Sequence, residues 1–204
     1  MPDVPLGRRH ARRRPTIGDM PGLVSALRVG SDDTQHTRYD IPANPGQGIV
    51  LITTDEIDRA WMAEALTLAR RANAEGEVPV GALVVRDEVV IGRGWNRPIG
   101  AADATAHAEI QAIRDACAHA GNYRLPGACL YVTLEPCAMC AGAIGHARVA
   151  RVVYGADDFR AGAVHSIFSV FDEPRLNHRV IHHGGVLAGE SAELLRAFFR
   201  ARRR

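Results

Sequence analysis

Along the chain, apolar residues first recur at a sustained helical spacing at Ile57, Trp61, Ala65, Leu68 and Ala72. Thr53-Thr54-Asp55-Glu56 stands just ahead of them as a capping box, so the pattern predicts a helix from about Thr53 to about Gly76. The pattern then changes to two nearly continuous apolar runs, 78–85 and 89–95, flanking Arg86-Asp87-Glu88. That is a β-hairpin whose strands are too apolar to face water on either side. Pro79 is tolerable there because it stands at the beginning of its strand. A loop carrying Asn96 and Pro98 leads into a second helix over 105–120, where Ile110, Ile113, Ala116 and Cys117 fall at helical spacings and Gly121 supplies the stop.

Residues 129–134 read as a buried strand, 137–146 as a helix and 149–154 as the next strand. A strand, helix, strand unit of this length is expected to be parallel and right-handed. Further on come a Gly-rich loop at 155–162, a short helix around 164–170, a short strand around 179–182, and a last helix over 190–200 with Leu194, Leu195 and Phe198 on one face. Residues 1–48, by contrast, are rich in turn formers such as Pro15, Gly18, Pro42 and Gly46 and hold no period. They read as an N-terminal extension, with at most transient helix at 23–29, ahead of one domain over 49–204. No internal repeat is present, which argues against a solenoid.

A length of 204 residues suits one α/β core, and 47% apolar with 24% charged residues is ordinary globular usage. Collagen-like, disordered and disulfide-scaffold chains are thereby excluded. The net charge of +2 conceals a more specific distribution: there is no lysine, and all 25 basic residues are arginine. Seven Arg and five Asp lie in residues 1–48, leaving 18 Arg against 18 acids in the remainder. The folded part is neutral, so any nucleic-acid binding has to come from local patches. The best of these is Arg196, Arg200, Arg202, Arg203 and Arg204, which reads equally as a solvated helix end favoured by the helix dipole. Four cysteines, no signal-like apolar segment and no run able to span a bilayer lead to the expectation of a cytoplasmic, reducing setting and no membrane.

Chemistry concentrates in two stretches. Pro136-Cys137-Ala138-Met139-Cys140 sets two thiols three residues apart at a helix start, where thiolates form readily. Thr105-Ala106-His107-Ala108-Glu109 adds an imidazole and, two residues on, a carboxylate. Three ligands, His107, Cys137 and Cys140, with an open fourth position for water and a nearby acid/base, describe a hydrolytic zinc site. Three plainer readings compete: a redox Cys-x-x-Cys pair, a closed structural zinc site completed by Cys129, and a Glu109 that only complements a helix dipole. The first does not require His-x-Glu, and Cys129 sits in an apolar strand where a free cysteine is normally packing.

The pattern His-x-Glu, then Pro-Cys-x-x-Cys, is the signature of zinc nucleobase deaminases. Beyond it, the chain resembles the bacterial tRNA-specific adenosine deaminases over about residues 56–203, in Glu77-Val78-Pro79-Val80-Gly81-Ala82, Gly94-Trp95-Asn96-Arg97-Pro98, Thr105 to Ile110, Asn122-Tyr123-Arg124-Leu125 and Tyr131 to Gly142. The resemblance implies a three-layer α/β/α, cytidine-deaminase-like fold with a mixed central sheet of about five strands, a homodimer, and conversion of adenosine to inosine at the wobble position of tRNA-Arg. It implies one zinc ion per subunit on His107, Cys137 and Cys140, Glu109 as proton shuttle, Asn96 as a contact to the flipped base and Asp158 as a contact to the anticodon loop. Asp157 departs from the basic residue often found before that aspartate, and Asn177-His178-Arg179-Val180 matches a late motif of the family. The rival readings are a deaminase of free guanine or dCMP, which shares the zinc core, and a catalytically silent zinc-stabilised RNA-binding module, which has no need of Glu109.

Overall fold

The structure, a computed structural model, describes residues 28–30, 38–40 and 51–203. Arg28–Gly30 (β1), Arg38–Asp40 (β2) and Leu51–Ile52 (β3) pair antiparallel in that order. The rest of residues 1–48, including most of the expected extension and of its 23–29 helix, lies outside the described residues.

Helix α1 (Thr54–Ala74) begins at its capping box: the Glu56 N–H donates to the Thr53 hydroxyl oxygen (3.3 Å) and the Thr53 N–H to the Glu56 carboxylate (2.8 Å). Strands β4 (Gly81–Arg86) and β5 (Val89–Trp95) close through Asp87 and Glu88, with φ of 51° and 59°, as a two-residue hairpin turn of matching twist demands. β4 starts three residues later than the apolar run because the backbone turns at Pro79, the Val80 N–H donating to the Val78 carbonyl (2.8 Å). A single turn, α2 (Pro98–Ala101), interrupts the expected loop, and α3 spans Ala108–Ala120.

Next come β6 (Cys129–Leu134), α4 (Ala138–His146), β7 (Arg151–Ala156), β8 (Ile181–His183) and α5 (Ala188–Arg202). β7 lies two residues beyond the predicted strand: Val149 and Ala150 belong to the turn after α4, where Arg148 takes a left-handed φ of 58°. The predicted helix around 164–170 is absent, and turns lead to one 3-10 turn, Val170–Asp172.

Five strands form a mixed sheet in the order β5-β4-β6-β7-β8, antiparallel from β5 to β6 and parallel from β6 to β8. Side chains alternate across it as strand geometry requires. Ala82, Val84, Leu130, Val132, Val152 and Tyr154 point to one core, shared with α3 and α4. Leu83, Val85, Tyr131 and Val153 point to the other, under Trp61, Met62 and Ala65 of α1. Burying each of the larger of these side chains contributes about 1.5–3 kcal/mol. With α5 packed on β7 and α1, this is the expected three-layer α/β/α sandwich.

Two features fix the layers. A Cβ at Gly94 would run into the Ala108 carbonyl and the Ala112 amide, so the missing side chain lets α3 lie directly on β5. On the other face Asp58 of α1, 1% exposed, accepts two hydrogen bonds from Arg151 of β7 (2.7 and 2.6 Å) and one from the Tyr131 hydroxyl of β6 (2.9 Å).

Candidate active site

Two helix N-termini meet at one end of the sheet. His107 is the N-cap residue of α3 and Cys137 that of α4, one position before the helical turns in which the sequence pattern puts them. Glu109 and Cys140 follow in the first turns. His107 Nδ1 lies 3.7 Å from Cys137 Sγ and 3.6 Å from Cys140 Sγ, and the three ligand atoms lie within 4.8 Å of one another. Tetrahedral zinc, with Zn–N near 2.0–2.1 Å and Zn–S near 2.3 Å, separates nitrogen from sulfur by about 3.6 Å. The donor set and its spacing therefore fit zinc. Among the described residues this is the one cluster of three such ligands.

The electrostatics of this cluster suit a cation. The Cys140 thiol and His107 beside it hold Cys137 down to about 4, while Cys140, hydrogen-bonded to that thiolate and buried, is pushed up. The two sulfurs share one proton, which a dication replaces. His107 is raised, first by its hydrogen bond to Cys137. Burial pushes the Glu109 carboxyl up to about 7, a position from which it can both accept and return a proton near neutral pH.

Asn96, buried at the end of β5, accepts the Ala108 N–H through Oδ1 (2.9 Å). That bond ties the strand end to the first turn of α3, beside His107 and Glu109, and leaves the Asn96 amide N–H groups without a partner among the described residues.

The sequence pattern misses Glu135. Its carboxylate, 2% exposed, accepts the backbone N–H groups of Asp158 (3.0 Å), Val164 (3.0 Å), His165 (2.7 Å) and Ser166 (2.9 Å), and the Ser166 hydroxyl. Burial alone would raise this acid; the donors from Ser166, Asp158 and His165 bring it down to about 2. These bonds also explain the missing helix, since N–H groups at 164–166 spent on a carboxylate are not available in the same geometry to a helix. The loop is pinned to the metal-binding turn by the Ala163 N–H to the Pro136 carbonyl (2.8 Å) and a bridge between Cys137 and Gly162. A Cβ at Gly162 would strike the Glu135 carboxylate. Asp158, in this loop, turns Oδ1 back to the N–H groups of Arg160 (2.9 Å) and Ala161 (3.3 Å). The only advance signal for Glu135 was its place beside the cysteines.

Other candidates stay apart. Cys129 sits at the opposite end of β6 near Arg151, with burial pushing its thiol up to about 11, so it is not a fourth ligand. Cys117 donates to the Tyr123 carbonyl (3.4 Å) and packs against the core. Asn177 accepts from Arg148 through its carbonyl (2.9 Å) and side chain (3.0 Å), clasping the turn between α4 and β7. In the C-terminal arginine patch, Arg196 and Arg200 pair with Glu193, and Arg202 stacks on Phe198 and donates to the Gly76 carbonyl. Arg203 keeps its guanidinium unpaired among the described residues, and Arg204 lies outside them.

Fold and site together define a zinc-binding deaminase: residues 55–156 match the family model described as the cytidine and deoxycytidylate deaminase zinc-binding region. The chain is 50% identical over 149 residues to the tRNA-specific adenosine deaminase of Haemophilus influenzae, covering 72% of this chain and 86% of the relative. It is 43% identical over 147 residues to that of Bacillus subtilis, covering 72% and 91%. The chain belongs to the tRNA-specific adenosine deaminase family. A solved structure from studies of A-to-I editing by tRNA:A34 deaminases at the wobble position of transfer RNA is similar with a TM-score of 0.65 and 50% identity, over 67% of this chain and 99% of that one. The guanine deaminase from Nitrosomonas europaea is similar with a TM-score of 0.57 and 28% identity, over 69% and 83%.

Proposed function

We propose that the chain converts adenosine to inosine at the wobble position of a tRNA, tRNA-Arg by the resemblance, with one zinc ion per chain held by His107 Nδ1, Cys137 Sγ and Cys140 Sγ. The observation that carries this reading is Glu109, a buried carboxyl two residues from a metal ligand in a site otherwise built of ligands. Zinc, when bound, supplies a nucleophile from water at neutral pH. Glu109 takes the proton that this water releases and delivers it to N1 of the ring. It then carries the second proton to the leaving amine, so that water and adenosine become inosine and ammonia. Asn96 offers its free amide N–H groups to the base, and Asp158 contacts the anticodon loop. An anticodon loop is already unpaired, which keeps the cost of presenting the base to a few kcal/mol.

The chain acts in the cytoplasm as a homodimer, for which exposed apolar side chains such as Tyr123 and Leu176 are available surface; sedimentation of the zinc-loaded protein tests the assembly. Among the described residues no helix is long and apolar enough to cross a membrane. The likeness to guanine deaminase keeps free bases as the second reading.

The deciding experiment supplies an arginine tRNA anticodon stem-loop and, separately, guanine, adenosine and dCMP, and measures inosine and ammonia. Activity confined to the free compounds overturns the substrate. Glu109→Ala is expected to retain zinc and lose about 10²- to 10⁴-fold in turnover; a variant that deaminates the RNA at near wild-type rate removes Glu109 from the mechanism.

A further inference from the structure

A groove of about 440 Å³ opens between the loop after β7, the end of β6 and α5. Half-buried Val78, Leu134 and Leu195 line it together with two exposed phenylalanines, Phe159 (79% exposed) and Phe199 (45%). Arg160 and Arg203 also line it, and neither has an ion-pair partner among the described residues. The acids in the groove are Asp157 and Asp158, the second with Oδ1 already accepting two backbone N–H groups. Leu134 stands three residues before Cys137, so the groove begins within about 11 Å of the metal-binding turn.

Phe159 is not on a loose tip. Asp158 before it is held by Glu135, and the Gly162 N–H after it donates to the Asp158 carbonyl (2.9 Å). The ring is thus presented to solvent from a fixed backbone, beside an apolar groove with free guanidinium groups. An unpaired nucleotide offers the complement: a π-face that stacks on aromatic rings and phosphates that pair with arginine. The volume suits one nucleotide, and the position is that of a neighbour of a base seated at the metal site.

We propose that Phe159, together with Phe199, is the stacking platform for the unpaired base adjacent to the target adenosine, and that Arg160 and Arg203 take that nucleotide's phosphates. The proposal rests on the RNA-substrate reading. It concerns the selection of the loop, whereas the groups around zinc select the base.

The test uses the full zinc-loaded chain and anticodon stem-loop RNAs carrying the fluorescent base 2-aminopurine on the 5′ or the 3′ side of the target adenosine. Wild-type protein is expected to quench one of the two probes. Phe159→Ala is expected to abolish that quench and to lower kcat/KM about tenfold, mainly through KM, within the roughly 5- to 150-fold range for losing one base–aromatic stack. Phe159→Trp is expected to restore both, and Phe159→Leu neither. Zinc content and melting temperature report whether each variant is folded. Equal quenching by wild type and Phe159→Ala with equal KM overturns the proposal, as does full rescue by Phe159→Leu. Self-association that depends on Phe159 while quenching does not places a second copy of the chain in the groove and also overturns it. Probe quenching reads stacking without turnover, so a wild type that quenches but forms no inosine sinks the substrate reading and not the platform.

Discussion

Replacing Glu135 by Gln tests how the metal-binding turn and the loop after β7 are held together. In the native protein one carboxylate oxygen accepts three backbone N–H groups, from Val164, His165 and Ser166, and the other accepts the Asp158 N–H and the Ser166 hydroxyl. A glutamine oxygen can keep the first three, but its NH₂ then faces the Asp158 N–H, donor against donor. Leaving that buried donor unsatisfied costs about 1–3 kcal/mol, and making the remaining bonds neutral weakens each of them. An independent figure comes from the carboxyl itself: its fall from the ordinary 4.5 to about 2 corresponds to about 3 kcal/mol in favour of the folded ionised state. Both routes lead to a loss of about 3 kcal/mol at pH 7, or about 8 °C in melting temperature for a domain of this size. Because the folded carboxyl titrates below the unfolded one, this contribution is complete above about pH 5.5 and is lost as pH falls toward 2, with roughly 1 kcal/mol gone by pH 3.5. Urea denaturation of zinc-free wild type and Glu135→Gln at pH 7 and pH 3.5 measures the difference at each pH. A variant within 1 kcal/mol of wild type at pH 7, or a gap that does not narrow at pH 3.5, would falsify the assignment.

Cys137→Ala, or a chelator applied to the wild type, is expected to remove zinc and abolish inosine formation; it also lowers the melting temperature, because the ligands join α3 to α4 and a metal at 100-fold its Kd adds about 2.7 kcal/mol. Metal analysis showing a full equivalent of zinc in that variant would contradict the ligand set. Asp58→Ala leaves the partly buried Arg151 guanidinium and the Tyr131 hydroxyl without their shared acceptor, and is expected to cost about 3 kcal/mol in chemical denaturation; a loss below 1 kcal/mol refutes it. Gly94→Ala is expected to cost about 2–3 kcal/mol and to weaken zinc binding, since a Cβ there pushes away the helix that carries His107 and Glu109. Gly142→Ala, inside α4 with nothing within 4 Å of the added carbon, is the matched control and is expected to stabilise by up to about 1 kcal/mol; equal effects of the two substitutions would refute the close-packing argument.

Local signals made much of this architecture readable in the sequence. The capping box at Thr53 and Glu56 is present atom for atom, and the apolar run 129–134 is β6 to the residue. Where the reading shifted, a long-range bond decided. Val149 and Ala150 are apolar enough for a strand, yet strand pairing with β6 begins only at Arg151, after the left-handed turn at Arg148. The apolar stretch 164–170 resembles a helix, but its N–H groups belong to an acid 29 to 31 residues upstream. Residue type and spacing were enough to single out His107, Cys137 and Cys140, which the structure gathers into one cluster, but not to give their exact place on the helices. The roles of Glu135 and Gly94 were illegible because each acts through a tertiary neighbour that no local period encodes.

The Glu135 bonds bear on how metal and substrate sites depend on each other. Asp158, Phe159 and Arg160 lie on a loop whose backbone bonds to Pro136 and Glu135 and bridges Cys137, so the loop takes its position from the same turn that carries Cys137 and Cys140. A zinc ion that fixes Cys137 and Cys140 therefore also narrows the positions open to the loop. Conversely, side chains that only project from the loop, such as Phe159, can be exchanged without touching a ligand. Metal loss should accordingly impair both zinc content and RNA binding, whereas substitution at Phe159 should impair RNA binding alone. That asymmetry separates a loop organised by the metal-binding turn from one that merely lies near it.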